Sequence, residues 1–149
     1  MRKLIPLALV LIALLAVVST ASAGGRPFST SLSGAEEFNP VTGTLGAGDP
    51  DASGFARITL NQGQGEICIE ATVSNTSSLV GAHIHAAPAG SNGPVVVNFS
   101  SLIAGNTISG CVSVDSDLVK AIRQNPQGYY INVHSTEYPA GAVRGQLGD

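Results

Sequence analysis

Alternation of apolar and polar residues is the clearest local pattern in this chain. In 81–86, Ala82, Ile84 and Ala86 alternate with His83 and His85. In 129–134, Ile131 and Val133 alternate with Tyr130, Asn132 and His134, and in 142–147, Val143, Gly145 and Leu147 alternate with Arg144 and Gln146. A period of two sends successive side chains to opposite faces of a strand. Further runs of β-type residues occupy 28–33, 54–60, 66–73, 95–100 and 107–114, and 80–86 extends the first of the alternating segments. Gly, Pro, Asn and Asp fill the connections, as turns require. One segment carries a helical pattern. Leu118, Val119 and Ile122 form an apolar stripe after Asp115 or Ser116 as the cap, Lys120 and Arg123 lie towards its end, and Asn125-Pro126 stops it. The pattern predicts an all-β, Greek-key-like antiparallel sandwich or barrel of about eight strands, with one short connecting helix.

The first 23 residues break this pattern. Arg2 and Lys3 precede an almost wholly apolar run, 4–18, and Ala21-Ser22-Ala23 supplies a small-x-small cleavage site. That order is the signature of a signal peptide. A run of about fifteen residues is shorter than the ~20 a spanning helix needs, so a retained anchor is the weaker alternative. The predicted organisation is a signal peptide over 1–23 and one domain over 24–149. No second apolar run is long enough to span a membrane after signal removal, and the expected location is secreted or periplasmic.

Composition narrows the partners. Five of the seven basic residues lie beyond residue 23, against ten acidic ones, a formal charge of about −5 for the exported part. Without a basic stripe to displace counterions, nucleic acid is an unsuitable partner. Cys68 and Cys111 are the two cysteines. In an oxidising compartment an even count points to a Cys68–Cys111 disulfide, with buried free thiols as the alternative. The acidic segment 36–52 contains Glu36, Glu37, Asp49 and Asp51. Its carboxylates could ligate calcium, but it lacks EF-hand spacing, and a solvated loop is the stronger expectation. Asn75-Thr76-Ser77 and Asn98-Phe99-Ser100 match the N-glycosylation pattern, which matters only in a eukaryotic secretory pathway.

The three histidines of the chain carry its most specific chemistry. The alternation places His83, His85 and His134 on the polar sides of two strands, the first two on one face of one strand. Neutral imidazole is a ligand for copper and zinc, and three such nitrogens can hold an ion with an open position. The competing reading is that these rings fix turns by hydrogen bonding. Arg144 is expected to face outward, either to pair with Glu137 or to attract an anion. Neither a Gly-x-Ser-x-Gly elbow nor a phosphate-binding glycine loop is present, and no catalytic nucleophile is assigned.

Four stretches together resemble the CHRD domain, the module named from chordin. They are the opening Leu32-Ser33-Gly34-Ala35-Glu36-Glu37-Phe38-Asn39-Pro40-Val41, then Gly48-Asp49-Pro50-Asp51-Ala52-Ser53-Gly54, then Ala82-His83-Ile84-His85 with Asn92-Gly93-Pro94-Val95-Val96, and finally Tyr129 to Ser135 with Tyr138 to Leu147. Asn39 stands where the family often has a second proline, and Ser135 replaces a common threonine. The resemblance implies an exported, non-enzymatic binding domain whose protein or surface partner is unknown. Gly81-Ala82-His83-Ile84-His85, Val133-His134 and Gly141-Ala142-Val143-Arg144 are also similar, in order, to segments of copper–zinc superoxide dismutases. That likeness implies His83, His85 and His134 as copper ligands and Arg144 as an anion guide. The segment 86–94 has no His or Asp, so the bridging histidine and the zinc site of those enzymes are missing. The expectations are therefore a CHRD-type binding domain with a three-histidine copper or zinc site, with a copper oxidoreductase and a structural or adhesive surface module as alternatives.

Overall fold

The computed structural model describes residues 25–148, so the export signal expected over 1–23 lies outside the described residues. Eleven strands follow in order: β1 (Arg26–Ser33), β2 (Phe38–Asn39), β3 (Thr44–Leu45), β4 (Ser53–Asn61), β5 (Glu66–Ser74), β6 (Leu79–Ala86), β7 (Val95–Asn98), β8 (Ile103–Ala104), β9 (Thr107–Ser113), β10 (Tyr129–Ser135) and β11 (Val143–Gln146). One helix, α1 (Ser116–Gln124), joins β9 to β10. The eight runs read from the sequence are β1, β4 to β7 and β9 to β11. The additional strands β2, β3 and β8 have two residues each, too few to leave a periodic signal. No helix among the described residues is long and apolar enough to cross a membrane.

Nine strands form one antiparallel sheet in the order β7-β6-β10-β11-β1-β4-β5-β9-β8, and β2 and β3 form a separate hairpin. The order itself requires curvature. Its two end strands, β7 and β8, are joined by the short segment 99–102, which reaches at most ~20 Å. Eight interstrand spacings of about 4.8 Å would hold the ends of a flat sheet on the order of 38 Å apart. The sheet therefore curls into a half-barrel, and the turn Ser100–Leu102 bridges its ends. At that corner Phe99 donates its N–H to the Ala82 carbonyl at 2.8 Å.

The inside of the curl is the apolar core. Ile58 faces Ile69 and Leu60 faces Ile67 across β4 and β5, while Ile84 faces Ile131 across β6 and β10. All six are buried, and such cross-strand pairs are the basic unit of sheet stability. Helix α1 adds Val119 and Ile122 to this core. Its cap is Asp115, whose carboxylate accepts the Asp117 N–H at 2.7 Å, satisfying one of the donors a helix start leaves free. Cys68 lies opposite Cys111 in the β5–β9 ladder, and the two form a disulfide.

The outer face of β6, β10 and β11 departs from expectation. It is not open to solvent, because segments 34–52 and 87–94 fold across it. Tyr130, Asn132, Arg144 and Gln146 lie there and are all buried. Glu37 and Asp49, expected in a solvated loop, are buried as well. The two covering segments are tied together by the Asn92 amide, which donates to the Phe38 carbonyl at 3.1 Å. The site residues thus sit in a thin polar layer between the sheet and its cover.

Candidate metal centre

Strand pairing brings the three histidines together. β6 and β10 are adjacent, with His83 opposite Asn132, His85 opposite Tyr130 and His134 opposite Gly81. His134 is therefore diagonal to His83, within reach of long side chains on a sheet face. The pairing is irregular at His134/Ser135, and the β6–β7 pairing is irregular at Ile84/His85. Such irregularities re-aim neighbouring side chains. Gly81 supplies the remaining room. A Cβ there would lie 3.2 Å from both His134 Cδ2 and His83 Cε1, so a side chain at this position would crowd both rings and push them by a few tenths of an ångström.

One nitrogen from each of the three rings lies within 4.8 Å of one from each of the others. His83 Nδ1 and His134 Nε2 are 3.1 Å apart. Ligand nitrogens around a tetrahedral ion with bonds of 2.0–2.1 Å are about 3.3 Å apart, so this pair already has the required separation.

Backbone carbonyls orient two of the rings. His85 Nδ1 is 2.9 Å from the Gly93 oxygen, and His134 Nδ1 is 3.1 Å from the Pro139 oxygen. A carbonyl only accepts, so both Nδ1 atoms carry the proton and both Nε2 atoms keep a lone pair. This is the outer-shell arrangement that fixes a metal-binding histidine. His85 Nε2 is buried and has no partner among the described residues. His83 Nε2 lies 3.3 Å from Ser100 Oγ, while Ser100 Oγ accepts the Ala82 N–H at 3.2 Å.

The surroundings keep the His83 and His134 rings neutral. Burial, reinforced by His134 and His85, pushes His83 down to about 4. Burial also lowers His134; its bond to the Pro139 carbonyl opposes the shift, and His85 adds to it. Neutral imidazole is the form that binds metal.

Next to the histidines lies a second polar group built around Tyr130. β6 and β11 flank β10, so the Tyr130 ring stands between His85 and Arg144. Its centroid is 4.9 Å from that of His85, with the planes 8° apart, and the Arg144 guanidinium carbon is 3.4 Å from it. Arg144 is 1 % exposed. It is on the outer face of β11 as expected, but that face is covered. Its donors go to the carbonyls of Pro88 at 3.0 Å and Ser91 at 2.8 Å, and to Asn92 Oδ1 and Gln146 Oε1 at 3.3 Å. These partners replace Glu137 or a solvent anion. The arginine fastens segment 87–94, including the Gly93 carbonyl that orients His85, to the sheet.

Glu37 lies on the other side of this layer. Its Oε2 accepts from Asn132 Nδ2 at 3.1 Å, and its carboxyl packs against Gly141, where a Cβ would be 2.7 Å away. Burial pushes Glu37 up to about 7, against the lowering effects of Arg144 and the Asn132 bond. Glu37 Oε1 and Asn132 Oδ1 are both buried without partners among the described residues. A proton on Glu37 Oε1 is a donor suited to Asn132 Oδ1, giving a two-bond acid–amide pair.

The family model for the CHRD domain matches residues 28–147. The chain belongs to the CHRD domain family. Comparison with curated proteins and with solved structures gives no match. CHRD membership carries the coarse class of a binding module to this chain. Within this CHRD domain the candidate site draws on both ends of the matched region, since Glu37 and Arg144 meet around β10. Gly81, Ser100, Tyr130 and Glu37 escaped the sequence reading as site residues. The run of β-type residues continues to Ser100, but β7 stops at Asn98 and the turn Ser100–Leu102 carries the hydroxyl to His83.

Proposed function

We propose that this CHRD domain works outside the cytoplasm as a binding domain that holds one transition-metal ion, copper or zinc, through His83, His85 and His134. The observation that carries the reading is the buried, unpartnered Nε2 of His85. An orphaned buried nitrogen costs on the order of 1–3 kcal/mol, and a metal ion is one of the few partners that removes that cost here. The donor set fits, because three imidazoles, two of them oriented by backbone carbonyls, suit copper and zinc. Among the described residues no carboxylate joins the group of three, which argues against calcium and magnesium. The bound ion would keep at least one position open, available to a donor atom from a partner protein or surface.

The Cys68–Cys111 disulfide supports a location in an oxidising compartment, in keeping with the export signal expected over residues 1–23. A copper oxidoreductase would use the same three rings. Here, however, the Arg144 donors are spent on four protein oxygens, and segment 86–94 supplies no further His or Asp. We therefore propose binding and not turnover.

The test is metal content after dialysis against equimolar zinc or copper(II), measured by mass spectrometry. Wild-type protein is expected to retain one equivalent, and His83→Ala and His85→Ala to retain none. Equal metal in all three proteins would overturn the assignment.

A further inference from the structure

We propose that Ser100 is a positioning residue for the metal centre, and that its hydroxyl lets His83 exchange one ring tautomer for the other when metal binds. The inference rests on the three-histidine reading above and adds a residue and a proton rearrangement that the ligand set alone does not require.

The argument is an accounting of ring protons. His134 Nδ1 faces a carbonyl, at Pro139, so its single proton is there and its Nε2 can only accept. The nitrogen 3.1 Å from that Nε2 is His83 Nδ1. In the metal-free protein His83 Nδ1 must therefore be the donor. A neutral ring has one proton, so His83 Nε2 is then bare. Its neighbour at 3.3 Å is Ser100 Oγ, which donates its hydroxyl proton to it. Every ring proton of His83 and His134 is accounted for, and the closed chain runs Ser100 to His83 to His134 to Pro139.

A metal ion cannot enter this chain without changing it. The nitrogen of His83 facing the bare Nε2 of His134 is Nδ1, and a metal ligand at that point needs its lone pair. The proton on Nδ1 has to move to Nε2, with no change in net charge. Nε2–H then needs an acceptor in a half-buried place. Ser100 supplies it by rotating its hydroxyl, because a serine oxygen has one donor and two acceptor sites. One of those acceptor sites is already used by the Ala82 N–H, at 3.2 Å, and the other becomes free for His83. The Ala82 bond also fixes where the oxygen sits, so only the hydroxyl hydrogen has to turn. Alanine at position 100 would serve neither state, whereas threonine would serve both.

The experiment is nitrogen-15 NMR of the imidazole rings in uniformly labelled protein, with and without one equivalent of zinc(II), together with zinc affinities of Ser100→Ala and Ser100→Thr. Metal-free protein is expected to show all three histidines protonated at Nδ1. On zinc addition His83 alone is expected to change to the Nε2–H form, while His85 and His134 keep Nδ1–H. Ser100→Ala is expected to weaken zinc binding 10–100-fold, the usual effect of losing an outer-shell partner, and Ser100→Thr to restore it. Zinc bound with His83 still protonated at Nδ1 overturns this inference and leaves the three-histidine site standing. So does a metal-free His83 already protonated at Nε2, or wild-type affinity in Ser100→Ala. No zinc binding by wild-type protein overturns both. The wild-type spectra and Ser100→Thr decide the matter if Ser100→Ala, which orphans the Ala82 N–H, does not fold.

Discussion

Replacing Glu37 with glutamine should make the protein more stable above neutral pH and leave it unchanged in mild acid. Glu37 is 4 % exposed, and burial pushes it up to about 7 from the ordinary 4.5. Between those values the unfolded chain has released the proton and the folded chain still holds it. Stability therefore falls as pH rises through that window. At 1.36 kcal/mol per pH unit the full loss is about 3 kcal/mol, reached above pH 7. Glutamine has the shape of the protonated acid. Its amide can donate to Asn132 Oδ1 while its carbonyl accepts from Asn132 Nδ2, so the pairing is kept and the ionisation is removed. The assay is urea denaturation of wild type and Glu37→Gln at intervals from about pH 4 to about pH 8. The two proteins should coincide at the acid end, below the unfolded value of 4.5, and the variant should be ahead by about 3 kcal/mol at the alkaline end. Ionisations common to the two proteins cancel in the difference. Parallel pH profiles, or a variant that is weaker at pH 8, would refute the reasoning.

Three further outcomes are expected. The Cys68–Cys111 bond spans a sequence separation of 43, so replacing both cysteines with serine should cost about 4 kcal/mol in chemical denaturation, while zinc affinity, set on β6 and β10, stays unchanged. Gly81→Ala crowds His83 and His134 at 3.2 Å and should weaken zinc binding about tenfold, or ~1.4 kcal/mol by calorimetry; wild-type affinity in this variant would show that the rings do not need the space. Folded His83 is held at about 4 and an unfolded histidine titrates near 6.5, so this residue makes stability rise with pH between those values; His83→Gln should flatten that limb in denaturation measured from pH 4 to pH 6.5.

The strands and the helix were legible because each left a local pattern. β4 to β6, β10 and α1 all bury the faces that their periodicity marks. What escaped was a second layer. Alternation showed that Tyr130, Asn132, Arg144 and Gln146 leave the core face, but it is silent about what covers the other one. Segments 34–52 and 87–94 have no period, and they cover it largely through the Glu37 carboxyl and the carbonyls of Ala87, Pro88 and Ser91, which no alternation reveals. Arg144 was therefore read as outward, although its partners are the oxygens of Pro88, Ser91, Asn92 and Gln146. For the histidines, the shared face of His83 and His85 followed from spacing. The adjacency of β6 and β10 did not, because the two strands are separated in the chain by β7 to β9 and α1. Gly81 and Ser100 depend on that same adjacency and on a corner of the sheet, which leaves no trace at either residue.

The central claim is that His83, His85 and His134 together hold one metal ion. X-ray absorption at the metal edge of protein loaded with one equivalent of zinc or copper tests it most directly. The account expects a shell of three imidazole nitrogens at about 2.0–2.1 Å, lost in the triple variant His83→Ala, His85→Ala, His134→Ala. A shell of oxygens, or a spectrum unchanged by the triple substitution, would contradict it.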